Sequence, residues 1–331
     1  MFSICKNQNN NINFDSNVDF KDFSWVINSY FNYEKPKNSI LNVAYPSAIA
    51  YYYITIIPPF SDINIFGSFL DKQVFEISLT FYDSNGDINT DYDTFNTYKN
   101  DGIINLSVKN SELLYVIQRF YVNLDFYSTI DIINNLFHIY DNKQNKLLPA
   151  CSLINRTKNS IKITDVYRKI IKHNSLKTSR NFSKFFLPIS CGLFACNNHL
   201  YIISTPGKYK CLKIQGKFKY SKDVPYCDFI TVNQNTTETD NGIPFYKLIY
   251  SDNLDGSYEL YVAHDNFKQL IENKTNLPVI TWKSNNYYKA VIFRIINYNY
   301  DSNIQSLGPL TPDETKSVMI SGFYPEITPI F

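Results

Sequence analysis

Glycine is scarce in this sequence, at 10 of 331 residues, and histidine is limited to 4. The four histidines (His138, His173, His199 and His264) stand far apart. No His-x-x-x-His or His-Glu-x-x-His spacing places two ring nitrogens on one helix face for a metal. Gly-x-Ser-x-Gly, the phosphate loop and the dinucleotide fingerprint are missing, so the common signals for a nucleophile elbow or a nucleotide cradle are gone. Glutamate is rare, and a carboxylate-pair hydrolase would have to use aspartates or Glu76 with Glu259, whose strand positions suit outward-facing residues. No long apolar run is present. The greasiest stretch, AIAYYYITIIPPF, ends in two prolines and is too short to span a bilayer. The opening residues, MFSICKNQNNNINFDSN, lack the apolar centre of a secretory signal. These two features predict a cytoplasmic protein without membrane insertion. The formal charge of +2 shows no excess of one sign, which argues against a general nucleic-acid coat. Together these absences call for no cofactor and point away from an enzyme.

What is abundant is aromatic. The 27 tyrosines and 25 phenylalanines favour strands, because such side chains cover a half-buried pleated surface well. Six cysteines (Cys5, Cys151, Cys191, Cys196, Cys211 and Cys227) in a chain of this length without a secretory signal read as free thiols. The spacing of Phe20, Phe23, Val26, Ile27, Tyr30 and Phe31 predicts a helix over about 18–33. Strands and turns follow from Val43 to Val122. In FEISLTFYD, Phe75, Ile77, Leu79 and Phe81 share one face. Asn85-Gly86 then marks a hairpin turn, which needs φ > 0 at both central residues. Further helices are expected at TIDIINNLFHIY (Thr129 to Tyr140), over about 163–173, and at TPDETKSVMI (Thr311 to Ile320).

The second half repeats the ingredients of the first in the same order. An apolar strand meets a proline at Pro58 and again at Pro206. Ile-x-Gly-x-Phe follows, as Ile65, Gly67 and Phe69 and as Ile214, Gly216 and Phe218. The glycine inside it implies a bulge or a close backbone approach. Asp-Gly-x-x-x-Leu-x-Val then occurs at Asp101 to Val108 and at Asp255 to Val262, a tight turn entering a strand. Last comes an apolar strand with an embedded arginine, YVIQRFYVN with Arg119 and AVIFRIINYN with Arg294. Such self-similarity predicts two related units. The expected fold is mainly β: two tandem antiparallel β-sandwich, jelly-roll-like domains with a few helices. The expected boundaries are an N-terminal helical segment over 1–40, a first sandwich over 41–150, a basic linker with a helix over 151–188, and a second sandwich over 189–331.

Several stretches of the second half carry a resemblance. Asn198, Leu200 and Tyr201, then Gly216-Lys217, Asp255-Gly256-Ser257-Tyr258 and Val291-Ile292-Phe293-Arg294 resemble a β-sandwich family of unknown function found in bacteria and large DNA viruses. The pattern departs at Phe218 and Lys219, where that family has a proline. The resemblance covers about a third of the chain and its motifs are structural, so it implies a fold and no catalytic residues. The bias toward Asn, Ile, Lys and Tyr matches AT-rich coding, which also fits a large DNA virus as the source.

Candidate binding residues are few. Arg119 and Arg294 recur inside apolar strands. In the linker, Arg168, Lys169 and Lys172 belong to a basic stretch opposed by one acid, Asp165, and nucleic acid enters only through this segment. Asp83, Asn85 and Asp87 offer hard oxygen ligands for calcium, but without EF-hand spacing, so a solvated hairpin loop is the default. Cys191, Cys196, Cys211 and Cys227 are poorly spaced for zinc. Tyr51 to Tyr53, Tyr287, Tyr288, Tyr298 and Tyr300 could stack on sugars, although most tyrosines in a sandwich cover its core. The reading is a non-enzymatic structural or interaction protein, a virion component of a large DNA virus with protein partners or self-assembly. The alternatives are a carbohydrate-binding tandem sandwich and a hydrolase with a cleft between the two domains.

Overall fold

The computed structural model describes residues 26–30, 45–48, 50–68, 74–84, 88–89, 91, 95–96, 103–122, 136–148, 182–186, 199–217, 226–236, 238–248, 257–296 and 325–331. The chain is mainly β. In its first half, β1 (Val26–Tyr30), β2 (Ala50–Ile57), β7 (Leu114–Val122), β4 (Val74–Tyr82) and β5 (Phe95–Asn96) form a five-stranded sheet in that order. A second sheet runs β6 (Ile103–Lys109), β3 (Asp62–Ser68), β8 (His138–Asp141) and β9 (Lys146–Leu147).

The second half gives the same order. Its five-stranded sheet runs β10 (Phe182–Phe186), β11 (His199–Thr205), β17 (Lys289–Ile296), β13 (Tyr226–Asn233) and β14 (Glu238–Pro244). The facing sheet runs β16 (Val279–Trp282), β15 (Ser257–His264), β12 (Cys211–Lys217) and β18 (Glu326–Pro329). The added strand β16 pairs parallel to β15, and the short helix α1 (Lys268–Glu272) lies in the crossover between them.

Each half packs two sheets around its own core. Tyr53, Ile65, Leu79, Val116 and Phe120 lie in the first. Leu212, Phe229, Leu260, Trp282 and Phe293 lie in the second, where the Phe229 and Phe293 rings stack 4.4 Å apart. The alternation in β4 places Ile77, Leu79 and Phe81 on the core face. Val108, Leu260 and Val262 after the Asp-Gly turns are buried, and Leu106 packs against the first core. The turns themselves, and Asn85-Gly86, lie outside the described residues.

Gly67 and Gly216 sit in regular ladders, opposite Ile104 and Tyr258. The close-approach alternative therefore holds. A Cβ on Gly67 would lie 2.5 Å from Phe137 Cδ1, and one on Gly216 would lie 2.5 Å from the Tyr258 hydroxyl. In the first half Gln118 Oε1 accepts a hydrogen bond from the Phe137 backbone N–H at 3.1 Å, which holds that ring over the glycine.

Two expected helices are strands where they are described. Residues 26–30, within the helix expected over 18–33, pair antiparallel with β2. The register shifts between Ile27 and Ser29, and that bulge breaks the period-2 pattern that would have marked a strand. Val26 and Ile27 are β-branched, and the β2 edge offers them unpaired backbone groups. His138 to Tyr140, the end of the helix expected from Thr129, pair with β3 instead, together with Asp141. The segments 163–173 and 311–320 lie outside the described residues. The end of the expected linker, Phe182–Phe186, is the edge strand β10 on β11. No helix among the described residues is long and apolar enough to cross a membrane.

Candidate functional site

The most concentrated chemistry among the described residues lies where the two large sheets meet back to back. All nine residues of β7 are buried, so the first large sheet is covered on both faces. Ala48, Ala50 and Tyr121 of the first half pack against Ile203, Ile230, Val232, Ala290 and Ile292 of the second. A simple apolar-polar alternation gives way here to LYVIQRFYV, apolar on both faces except at Gln118 and Arg119, as burial on both faces favours.

Arg119 and Arg294 occupy equivalent places in this layer. Arg119 on β7 stands opposite Tyr52 on β2 and Ser78 on β4. Arg294 on β17 stands opposite Tyr201 on β11 and Asp228 on β13. Each residue is only 2% exposed. Arg119 donates to Thr80 Oγ1 at 3.1 Å and to the Tyr82 hydroxyl at 2.6 Å. Its guanidinium carbon lies 5.9 Å from the Tyr52 ring centroid and 5.7 Å from that of Tyr82, a cation–π cage. Arg294 crosses to the other sandwich. It donates to the Tyr45 carbonyl at 2.8 Å and to the Tyr52 hydroxyl at 3.3 Å, and it pairs with Asp228 Oδ2 at 3.9 Å. Tyr52 therefore presents its ring to one arginine and its hydroxyl to the other.

A short strap before β2 completes the junction. Asp228 Oδ2 accepts from Ser47 Oγ at 2.5 Å and from the Ala48 backbone N–H at 2.9 Å. Thr239 Oγ1 donates to the Pro46 carbonyl at 2.8 Å. Tyr45 adopts φ of 54°, a left-handed conformation rare for a bulky residue, and this turns its carbonyl to Arg294. Its hydroxyl donates to the Gln234 carbonyl at 3.3 Å, and burial pushes its pKa above the ordinary tyrosine range. Gly242 leaves room for the strap, since a Cβ there would lie 3.2 Å from Ala48 Cβ and 2.9 Å from Ile230 Cγ2.

The structure thus brings Arg119 and Arg294 together at one junction. Arg168, Lys169 and Lys172 lie outside the described residues, as do Asn85 and Asp87 of the calcium candidate, and Asp83 is half-buried at the end of β4. No group of three His, Cys, Asp or Glu that could hold a metal occurs among the described residues. Cys211 and Cys227 are free, buried thiols in different apolar clusters. Burial pushes the Cys211 thiol up to about 11 and that of Cys227 well above the usual range, so both are poor metal ligands at neutral pH. Glu259 faces outward, paired with Lys213 at 2.9 Å. Tyr51 and Tyr53 belong to the first core and Tyr52 to the junction, so this triplet is no sugar platform. Tyr287 and Tyr288 are exposed, at 89% and 60%.

A second cluster joins His264 and Lys289. Lys289 Nζ lies 2.8 Å from His264 Nε2, donates to the Tyr209 carbonyl at 2.7 Å, and stands 5.6 Å from the Trp282 ring centroid. Burial and the neighbouring ammonium hold the His264 pKa below its ordinary value, and burial with Lys210 lowers that of Lys289.

Asp228, Ser47, Tyr45 and Tyr52 were not singled out from the sequence for this junction. One signal for Asp228 was available. A lone carboxylate inside the apolar strand YCDFITV calls for a buried partner.

The fold and junction define a tandem β-sandwich protein. No known protein family and no curated protein matches the chain. Solved structures do. An uncharacterized protein from Burkholderia cenocepacia is 11% identical with a TM-score of 0.53, over 86% of this chain and 81% of that one. The VPA0106 protein from Vibrio parahaemolyticus is 12% identical with a TM-score of 0.49, over 89% and 93%. The first of these shows the shared fold and nothing further.

Proposed function

We propose that this chain is a non-enzymatic structural or interaction protein, built as two coupled sandwiches that act as one rigid body. The observation that carries the reading is the junction. Arg294 and Asp228 are buried and bonded across the interface, to Tyr45 and Tyr52 and to Ser47 and Ala48, while Arg119, buried within the first half, packs on the Tyr52 ring whose hydroxyl meets Arg294; these contacts support a fixed placement of one half on the other. The hydrolase reading would need a carboxylate and a cation open to substrate between the halves. Here Asp228 is bonded to Ser47 and Ala48, and Arg294 to Tyr45 and Tyr52. A rigid tandem presents a broad fixed surface, which suits assembly or protein partners.

The finer reading is a virion component of a large DNA virus, acting in the host cytoplasm or the particle, and it is supported by the AT-rich residue usage and the family resemblance. Mass spectrometry of purified particles tests it: the chain should be present at structural abundance, and its absence would remove the virion role. Affinity capture with the full chain tests the broader reading, which predicts a stoichiometric protein partner or self-association. The carbohydrate-binding alternative is favoured by one specific observation, the exposed pair Tyr287 and Tyr288.

A further inference from the structure

The turn between β16 and β17 is held in place from below. Asn286 is 3% exposed and uses both ends of its amide. Its Nδ2 donates to the Val232 carbonyl at 3.1 Å and to Asp240 Oδ2 at 2.7 Å, and its Oδ1 accepts the Tyr288 backbone N–H at 3.0 Å. The Asn286 N–H closes the turn onto the Lys283 carbonyl at 2.9 Å, and the Gln234 N–H donates to the Tyr288 carbonyl at 2.8 Å. Asp240 also faces Lys283 Nζ at 3.5 Å. Burying an amide and a carboxylate under a surface turn is costly unless they are bonded, and here they are bonded to the turn itself.

What this support presents is aromatic. Tyr287 is 89% exposed and Tyr288 60%. Their exposed neighbours on the same turn are Ser284 and Asn285, and those on the facing β13–β14 turn are Asn235 and Thr236. That second turn is also fixed, by Asn233 Oδ1 accepting the Asn235 and Thr236 backbone N–H groups at 2.9 and 3.2 Å. The charges alongside, Lys283 with Glu238 and Asp240, face one another at 3.8 and 3.5 Å.

We infer that Tyr287 and Tyr288 form a carbohydrate-binding platform for neutral pyranose-containing glycans. The inference rests on the reading of the chain as a binding protein rather than an enzyme. The C–H face of a pyranose stacks on a tyrosine ring, and its hydroxyls need neutral donors and acceptors such as the amides and hydroxyls found here. A protein partner would need about 800 Å² per side with an apolar centre, whereas this patch is ringed by amide and hydroxyl groups. A paired-charge rim favours neutral over acidic sugars. The fixed backbone removes part of the ordering cost that weakens binding by flexible loops.

The test uses the full chain on an array of neutral and acidic glycans, followed by calorimetry with the strongest neutral oligosaccharide. Wild type should bind saturably. Tyr287→Ala and Tyr288→Ala should each weaken binding by several-fold to about tenfold, the worth of one ring contact. Tyr287→Phe should keep most of the affinity, and Phe60→Ala, at an exposed aromatic of the other sandwich, should change nothing. Tyr287 is too exposed for its loss to unfold the protein, and circular dichroism checks this. Absence of neutral-glycan binding, binding to acidic glycans alone, or affinity unchanged in both alanine variants would overturn the platform. If glycan is absent but capture of a protein partner persists, the platform falls and the interaction reading stands. If the bound glycan is also cleaved, as mass spectrometry of the products would reveal, the platform stands and the non-enzymatic reading falls.

Discussion

Arg294→Met is the sharpest test of the junction. The substitution keeps much of the side-chain volume and removes the charge. It deletes the bond to the Tyr45 carbonyl at 2.8 Å, the bond to Tyr52 at 3.3 Å and the counter-charge 3.9 Å from Asp228. Removing one partner of a buried ion pair costs about 3–5 kcal/mol, because the other charge stays buried. Asp228 keeps its bonds from Ser47 at 2.5 Å and Ala48 at 2.9 Å, which places the loss near the lower end, about 3 kcal/mol. At roughly 2–4 °C per kcal/mol, the melting temperature should fall by about 6–12 °C. Urea unfolding followed by circular dichroism and by the fluorescence of buried Trp282 would measure both the loss and its cooperativity. Adding Asp228→Asn should return part of the stability, with a coupling of about 1–3 kcal/mol in the double-mutant cycle. A loss below about 0.5 kcal/mol, as for an ordinary surface substitution, would refute the junction as the element that fixes the halves.

Gly67→Ala and Gly216→Ala should each destabilise by about 1–3 kcal/mol in thermal unfolding, because the new methyl meets Phe137 or Tyr258 at 2.5 Å. The depressed pKa of His264 gives a pH dependence of known sign. The folded state binds fewer protons than the unfolded one, so this stability is fully present above the unfolded value of about 6.5 and is lost as pH falls through the folded value. His264→Gln should flatten that slope, and Lys289→Met should move the His264 titration upward in an NMR titration, since the neighbouring ammonium lowers it. Cys211 and Cys227 should resist iodoacetamide in the native protein at pH 8 and label fully in urea, as peptide mapping would detect.

Much of the fold was legible because its signals are local. Gly67 and Gly216 each announce a place where a side chain cannot fit, and the recurrence of Arg119 and Arg294 within apolar runs marks two equivalent central strands. The misses share a cause. At β1 a bulge after Ile27 disrupts alternation, and only the open edge of β2 decides the strand. At β8 the pairing partner β3 lies some seventy residues away in sequence, so the local apolar stripe of Ile130, Ile133, Leu136, Phe137 and Tyr140 alone pointed to a helix. For the site, composition indicated that the arginines were unusual but not where they would point. A strand residue has two faces, and which of them is solvent depends on a second sandwich packing behind it. The exposure of Tyr287 beside the burial of Tyr53 has the same origin: both are tyrosines in aromatic-rich stretches, and tertiary packing alone separates them.

The matched positions Ser78 and Asp228 differ in charge, although each stands opposite an arginine in the same ladder register. The two halves share one strand order, yet they have diverged into a lock and its key. One supplies the acid, and the other supplies the strap and the tyrosine cage. A chain built from two copies of either half would therefore have mismatched backs, and neither such homotypic fusion should close as the native pair does.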